Sequence, residues 1–176
     1  MGNSMNPDDF YELFVLSNYE DFENNKESIR HAFNASLSLS HMADHYFEYN
    51  KKHNKSKVEQ FIKGGEYYEV INKNRKKKLK DISVFKIYIS EQTNDDYNSI
   101  RSISNAYKHL YTAKDTYSDV TSAGSVMTIS FPAVKRGDVS ELDVTETVVF
   151  TRKNNSQREE VLPLLKRVKD FWKGFL

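Results

Sequence analysis

The chain has 176 residues with nearly balanced charge, 26 Lys+Arg against 25 Asp+Glu. It is long enough to bury a core as one domain and carries no global field that would advertise a polyanion or a membrane surface as partner. Its negative mean hydropathy stands beside 11 Tyr, 11 Phe and one Trp, the mixture of a folded protein with an aromatic core. The absence of cysteine excludes disulfide frameworks, thiolate zinc sites and a cysteine nucleophile, and it fits a reducing compartment. No apolar run reaches the roughly 20 residues that span a bilayer, and no signal-peptide pattern opens the chain. The expectation is a cytoplasmic protein with no membrane partner. Met1-Gly2 starts like a myristoylation signal, but Asn6 stands where that signal has Ser or Thr.

Asn6-Pro7-Asp8-Asp9 is a helix start: a capping Asn, Pro at the first helical position, then acids against the positive helix end. Phe10, Leu13, Phe14 and Ser17 continue one helical face, which the Asn24-Asn25 pair interrupts. A second helix is expected from Glu27 to Asn50, with Ile29, Ala32, Phe33, Ser36, Leu39, Ser40, Ala43 and Phe47 recurring at three- and four-residue steps. Small residues in that face admit another helix closely. Ser56 caps a short helix through Val58, Phe61 and Ile62, stopped by Gly64-Gly65. Glu66–Ile71 reads as helix or strand, and Val84–Ile89 as a short amphipathic piece or an alternating strand. Asn94-Asp95-Asp96 starts the next helix.

After Lys114 the character changes. Gly124–Phe131 and Asp143–Thr151 are β-branched and roughly alternating, with the turn signal Arg136-Gly137-Asp138 between them. They predict two antiparallel strands, and so narrow a ribbon needs a helix or a partner chain to pack on. Asn154-Asn155-Ser156 leads to a final helix that tolerates Pro163 near its start and places Trp172 in the core. The expected fold is mainly α: a four- to five-helix bundle with a β-hairpin inserted before the C-terminal helix. It forms one domain over residues 1–176, with the helical part at about 7–115, the hairpin at about 121–152 and the last helix at about 156–176.

Arg101, Asn105 and His109 recur every four residues and so form one sloping polar stripe on a helix. Ile103, Ala106, Tyr107, Leu110 and Ala113 fall on an apolar face. An imidazole titrating near neutrality, a guanidinium that holds phosphate oxygens and an amide that orients either are the parts of metal-free RNA cleavage. The same residues suit a hydrogen-bonded seam between helices. Arg30, Asn34, His41 and His45 make a second stripe that meets the first if the two helices face each other. Arg30-x3-Asn34-Ala echoes Arg101-x3-Asn105-Ala, a match short enough for chance. His41 and His45, at i and i+4, point the same way and are candidates to share a metal with Asp44 or Glu48, although a third ligand must come from elsewhere and Met42 occupies the place of a zincin glutamate. Lys73, Arg75, Lys76, Lys77 and Lys78, with Lys108, offer charge to an RNA backbone, flanked by Tyr67, Tyr68 and Phe85; such a run also serves as a solvated helix face or loop. No phosphate-binding loop, dinucleotide fingerprint or nucleophile elbow occurs.

Ser104-Asn105-Ala106-Tyr107-Lys108-His109, with an earlier Asn34-containing helix and a closing Asp170-Phe171-Trp172 helix, resembles the HEPN-like bundle family over residues 27–113. The resemblance implies a toxin or phage-defence component, often dimeric, whose active members are metal-independent RNases with an Arg-x4–6-His motif. His109 matches the motif's histidine and Asn105 the polar residue that commonly follows its arginine. Ser104 occupies the arginine position, and Arg101 stands three residues earlier, giving Arg-x7-His. The likeness thus implies a ribonuclease needing no cofactor, with RNA as substrate and a second copy or a defence protein as partner. The alternative is a non-catalytic interaction or regulatory module with the same fold.

Overall fold

In a computed structural model of the chain, the structure describes residues 5–63, 68–72, 75–78, 80–108, 120–130, 143–152 and 158–176. The first helical run starts where its sequence says. Asn6 Oδ1 accepts the Asp9 N–H at 2.7 Å, and Pro7 opens α1 (Pro7–Phe10). The run widens into a π-helical segment (Tyr11–Leu16) and returns to α geometry in α2 (Ser17–Asn24). Ser17 Oγ donates to the Glu12 carbonyl five residues back at 3.2 Å, a side-chain partner for a carbonyl in the widened segment.

Ser28 caps α3 (Ile29–His53) by accepting the His31 N–H. A 3-10 turn (Lys55–Lys57) leads to α4 (Glu59–Lys63). Strands β1 (Tyr68–Asn72) and β2 (Arg75–Lys78) follow, then α5 (Asp81–Gln92) and α6 (Asp96–Lys108). The chain closes through β3 (Val120–Ser130), β4 (Asp143–Arg152), β5 (Arg158–Glu160) and α7 (Val161–Phe175). The mainly helical class and the hairpin ahead of the last helix match the sequence reading.

Three features go beyond it. Phe10, Leu13, Phe14 and Ser17 share one side of the first run, and it is the outer one. Tyr11, Val15, Tyr19 and Phe22 are the buried set, while Leu13 is 60% and Phe14 42% exposed. The buried set recurs at steps of four, four and three, an ordinary helical spacing, so periodicity offers both faces and the packing on α3 selects between them. Strands β1 and β2 pair antiparallel, with Glu69 opposite Lys77 in the register, so the Glu66–Ile71 stretch takes the strand alternative over its described residues. β-formers in one strand and opposite charges across the pair favour this ladder. The C-terminal hairpin also has a third strand: Arg158–Glu160 pairs antiparallel with Val149–Thr151.

The C-terminal sheet is anchored as so narrow a ribbon must be. Val148 and Phe150 are buried in the helical core, and the Val148 N–H reaches the Lys26 carbonyl at 3.2 Å, in the turn between α2 and α3. The core itself is aromatic. Phe85 of α5 meets Phe61 of α4 edge-on at 4.9 Å and Trp172 of α7 at 6.4 Å, and Trp172 meets Phe175 edge-on at 5.6 Å. No helix among the described residues is long and apolar enough to cross a membrane.

Trp172 is fully buried, and its indole Nε1 has no hydrogen-bond partner among the described residues. Trp172→Ala should therefore cost about 3–5 kcal/mol in urea unfolding. Trp172→Phe, which keeps a ring and removes the orphaned donor, should cost under about 1.5 kcal/mol. Burial and neighbouring carboxylates push Tyr11 and Tyr19 from the ordinary 10.0 to about 12. Above pH 10 the unfolded chain loses phenolic protons that the fold retains, so this stability is complete below pH 10 and lost as pH rises through about 12. Urea midpoints and tyrosinate absorbance measured together across that interval should fall and rise in step.

Candidate functional site

The corner before α6 is built by short polar side chains. Asn94 and Asp95 sit at φ 48° and 65°, the left-handed region that Asn and Asp tolerate better than most residues. Ser90 Oγ donates to Asp95 Oδ1 at 2.8 Å, and Thr93 Oγ1 accepts the Tyr97 N–H at 3.2 Å. Asp96 is buried and takes Nε and Nη2 of Arg167 on its two oxygens. This bidentate pair fastens the start of α6 to α7.

Helix α6 lies against α3 through small side chains and one phenol. Tyr97 Oη donates to the Ser40 carbonyl at 3.1 Å, and the hydroxyls of Ser40 and Ser104 are 3.3 Å apart. Tyr97 is fully buried, and that burial raises its pKa; the Arg101 charge opposes the rise and the Asp44 charge adds to it. Ile100 and Ile103 complete the buried face. Ser104, at the family motif's arginine position, is 1% exposed.

Of the α6 stripe, Arg101 and Asn105 are described, and both are half-buried. The Arg101 guanidinium carbon lies 5.9 Å from the Tyr97 ring centroid, a cation–π arrangement. Lys108 is the last described residue of α6, by its backbone alone, and His109 and Lys73 lie outside the described residues. So do the side chains of Ala106 and Tyr107 and the whole of Leu110 and Ala113. Arg75, Lys76, Lys77 and Lys78 form β2, so the basic run sits on a strand, not on the helix face or loop that its composition suggests.

The α3 stripe goes elsewhere. Although α3 and α6 face each other, Asn34, His41 and His45 open onto a groove of 590 Å³ that they share with Phe10, Phe14 and Asn18, away from Arg101 and Asn105. Arg30 is exposed and donates to its neighbour His31 at 3.1 Å. His45 gives its Nε2–H to the carbonyls of Met5 and Asn6 at 3.0 and 3.3 Å and stacks on Phe10 at 4.6 Å. Asp44 Oδ1 is 2.6 Å from Lys86 Nζ. No group of three or more His, Asp or Glu able to hold a metal forms among the described residues. Sequence reasoning missed Phe14 and Asn18 as groove residues, because spacing marks their face without saying what lies opposite it.

Tyr97→Phe should lower stability by about 0.5–1.5 kcal/mol, the worth of one neutral hydrogen bond. Searches for related families, characterised proteins and solved structures find no match to this chain.

Proposed function

We propose that the chain is a HEPN-like helical module of a bacterial or phage conflict system, acting on RNA along the outer edge of α6. In this reading a 2′-hydroxyl attacks the adjacent phosphorus, the bond to the 5′ oxygen breaks, and His109 moves the proton from the attacking to the leaving oxygen. Arg101 holds the phosphate oxygens and Asn105 orients them. Lys108 and the basic run of Lys73 and Arg75–Lys78 follow the backbone by charge. The observation that carries the reading is the position of Arg101 and Asn105. Both stay half-exposed at one edge of a helix whose other side is locked to α3 and α7, and the four-residue spacing continues that edge to His109 in sequence. A second copy or a defence protein is the natural partner of such a module.

A second reading has its own observation. Ser104 is closed against Ser40, so the motif's arginine position faces the interior, as suits a module that kept the fold for pairing and lost cleavage. One experiment separates the two. Under the first reading, purified protein cleaves single-stranded RNA in EDTA, His109→Ala loses about 10²–10⁴-fold in rate, and Arg101→Ala weakens RNA binding. Wild-type protein that leaves a broad panel of RNAs intact would remove the ribonuclease and leave the interaction module.

A further inference from the structure

The groove beside α3 has the chemistry of a site for a flexible organic cation. Its wall is the ring pair Phe10 and Phe14, with centroids 5.2 Å apart, and Phe14 is 42% exposed. Its polar groups include acceptors along its length. The Asn34 amide has no hydrogen-bond partner among the described residues, and Asn18 gives one of its two amide N–H groups to the Phe14 carbonyl at 2.7 Å while its Oδ1 has no partner among them. Ser38 Oγ donates to the Ala35 carbonyl at 3.1 Å and so presents lone pairs outward. Asp44 is partly exposed and meets Lys86 through one oxygen, while a carboxylate has about four lone-pair sites.

No lysine or arginine among the described residues lines the groove. The helical run that forms its wall, Pro7–Asn24, carries Asp8, Asp9, Glu12, Glu20, Asp21 and Glu23 and no basic residue, and all six acids are exposed. None of the six lines the groove, whose own carboxylate is Asp44, so they act on it only as a longer-range field that favours cations over phosphate. Length narrows the choice. Asn34 and Asp44 are ten positions apart on α3, about 15 Å along the axis, with Leu37, His41 and the phenylalanines between them. A compact ion cannot reach both ends. An extended aliphatic chain with an ammonium at each end spans both, its methylenes on the rings and its charges on Asp44 and the amide oxygens. The volume of 590 Å³ falls within the range of small-molecule sites.

We infer that the groove between the Phe10–Phe14 wall and α3 binds a linear aliphatic polyamine, with Asp44 at one end and Asn18 and Asn34 at the other. The inference stands apart from the α6 reading, since none of the proposed RNA-contacting residues lines this groove. Titrating spermidine into the full-length protein, followed by two-dimensional NMR and calorimetry, tests it. The expected result is saturable one-to-one binding with shifts centred on Phe14, Asn18, Asn34 and Asp44. Affinity should drop about tenfold in Asp44→Asn and several-fold in Phe14→Ala. The exposed Phe14 makes the second variant safe for folding, and Asn34→Ala provides a further check that spares the Asp44–Lys86 pair. A neutral diol of matching length should bind at least tenfold more weakly. Three outcomes would overturn the inference: no saturable shift at millimolar spermidine, shifts spread evenly over the six exposed acids and unaffected by Phe14→Ala, or a concentration-dependent dimer that closes the groove around Phe14.

Discussion

One helix of 25 residues, Ile29–His53, has to touch the first helical run, α5, α6 and α7 at once, and every other placement depends on how it does so. A helix crowded on several sides needs small residues, and small polar residues need hydrogen bonds once water is gone. The α3 sequence answers both needs. Ser36, Ser38 and Ser40 are buried, and each hydroxyl returns to a carbonyl of its own helix, at Ala32, Ala35 and Leu37. Neighbouring helices approach these serines without orphaning their hydroxyls. Asn50 is buried and does the same to the Tyr46 carbonyl.

This arrangement gives α3 two working sides. One carries Ser40 to Ser104 and Tyr97 and so fixes α6, leaving Arg101 and Asn105 at an outer edge. The other carries Asn34, His41 and Asp44 into the groove behind Phe10 and Phe14. The two surfaces differ in charge chemistry. The α6 edge carries a permanent guanidinium, whereas the groove carries a carboxylate, amides, imidazoles and rings. A chain whose net charge is only +1 thus separates its signs locally, which composition alone conceals.

The sequence is legible where local chemistry decides. The Asn6-Pro7 cap, the long period of α3, the Asn94-Asp95-Asp96 corner and the burial of Trp172 are all readable from it, because caps, left-handed positions and apolar spacing act within a few residues. Distant partners are not legible. Nothing near Asp96 announces Arg167, seventy-one residues away, and nothing near Arg75–Lys78 announces a strand partner except an ambiguous Tyr-Glu-Val-Ile stretch. In the first run, spacing marks both the 10/13/14/17 set and the 11/15/19/22 set as faces and does not say which one is buried. The stripe of Arg30, Asn34, His41 and His45 misleads differently, pointing to α6 when its neighbour is the first run. Periodicity says which residues share a face, not which helix lies opposite.

If α3 holds its seam and its groove on independent sides, a double-mutant cycle on unfolding free energy will show it most directly. Ser40→Ala with Ser104→Ala should couple by about 0.5–1 kcal/mol, as residues in contact do, while Phe14→Ala with Ser104→Ala should add within about 0.3–0.5 kcal/mol. Additive serines, or a phenylalanine that couples to Ser104, would contradict that independence.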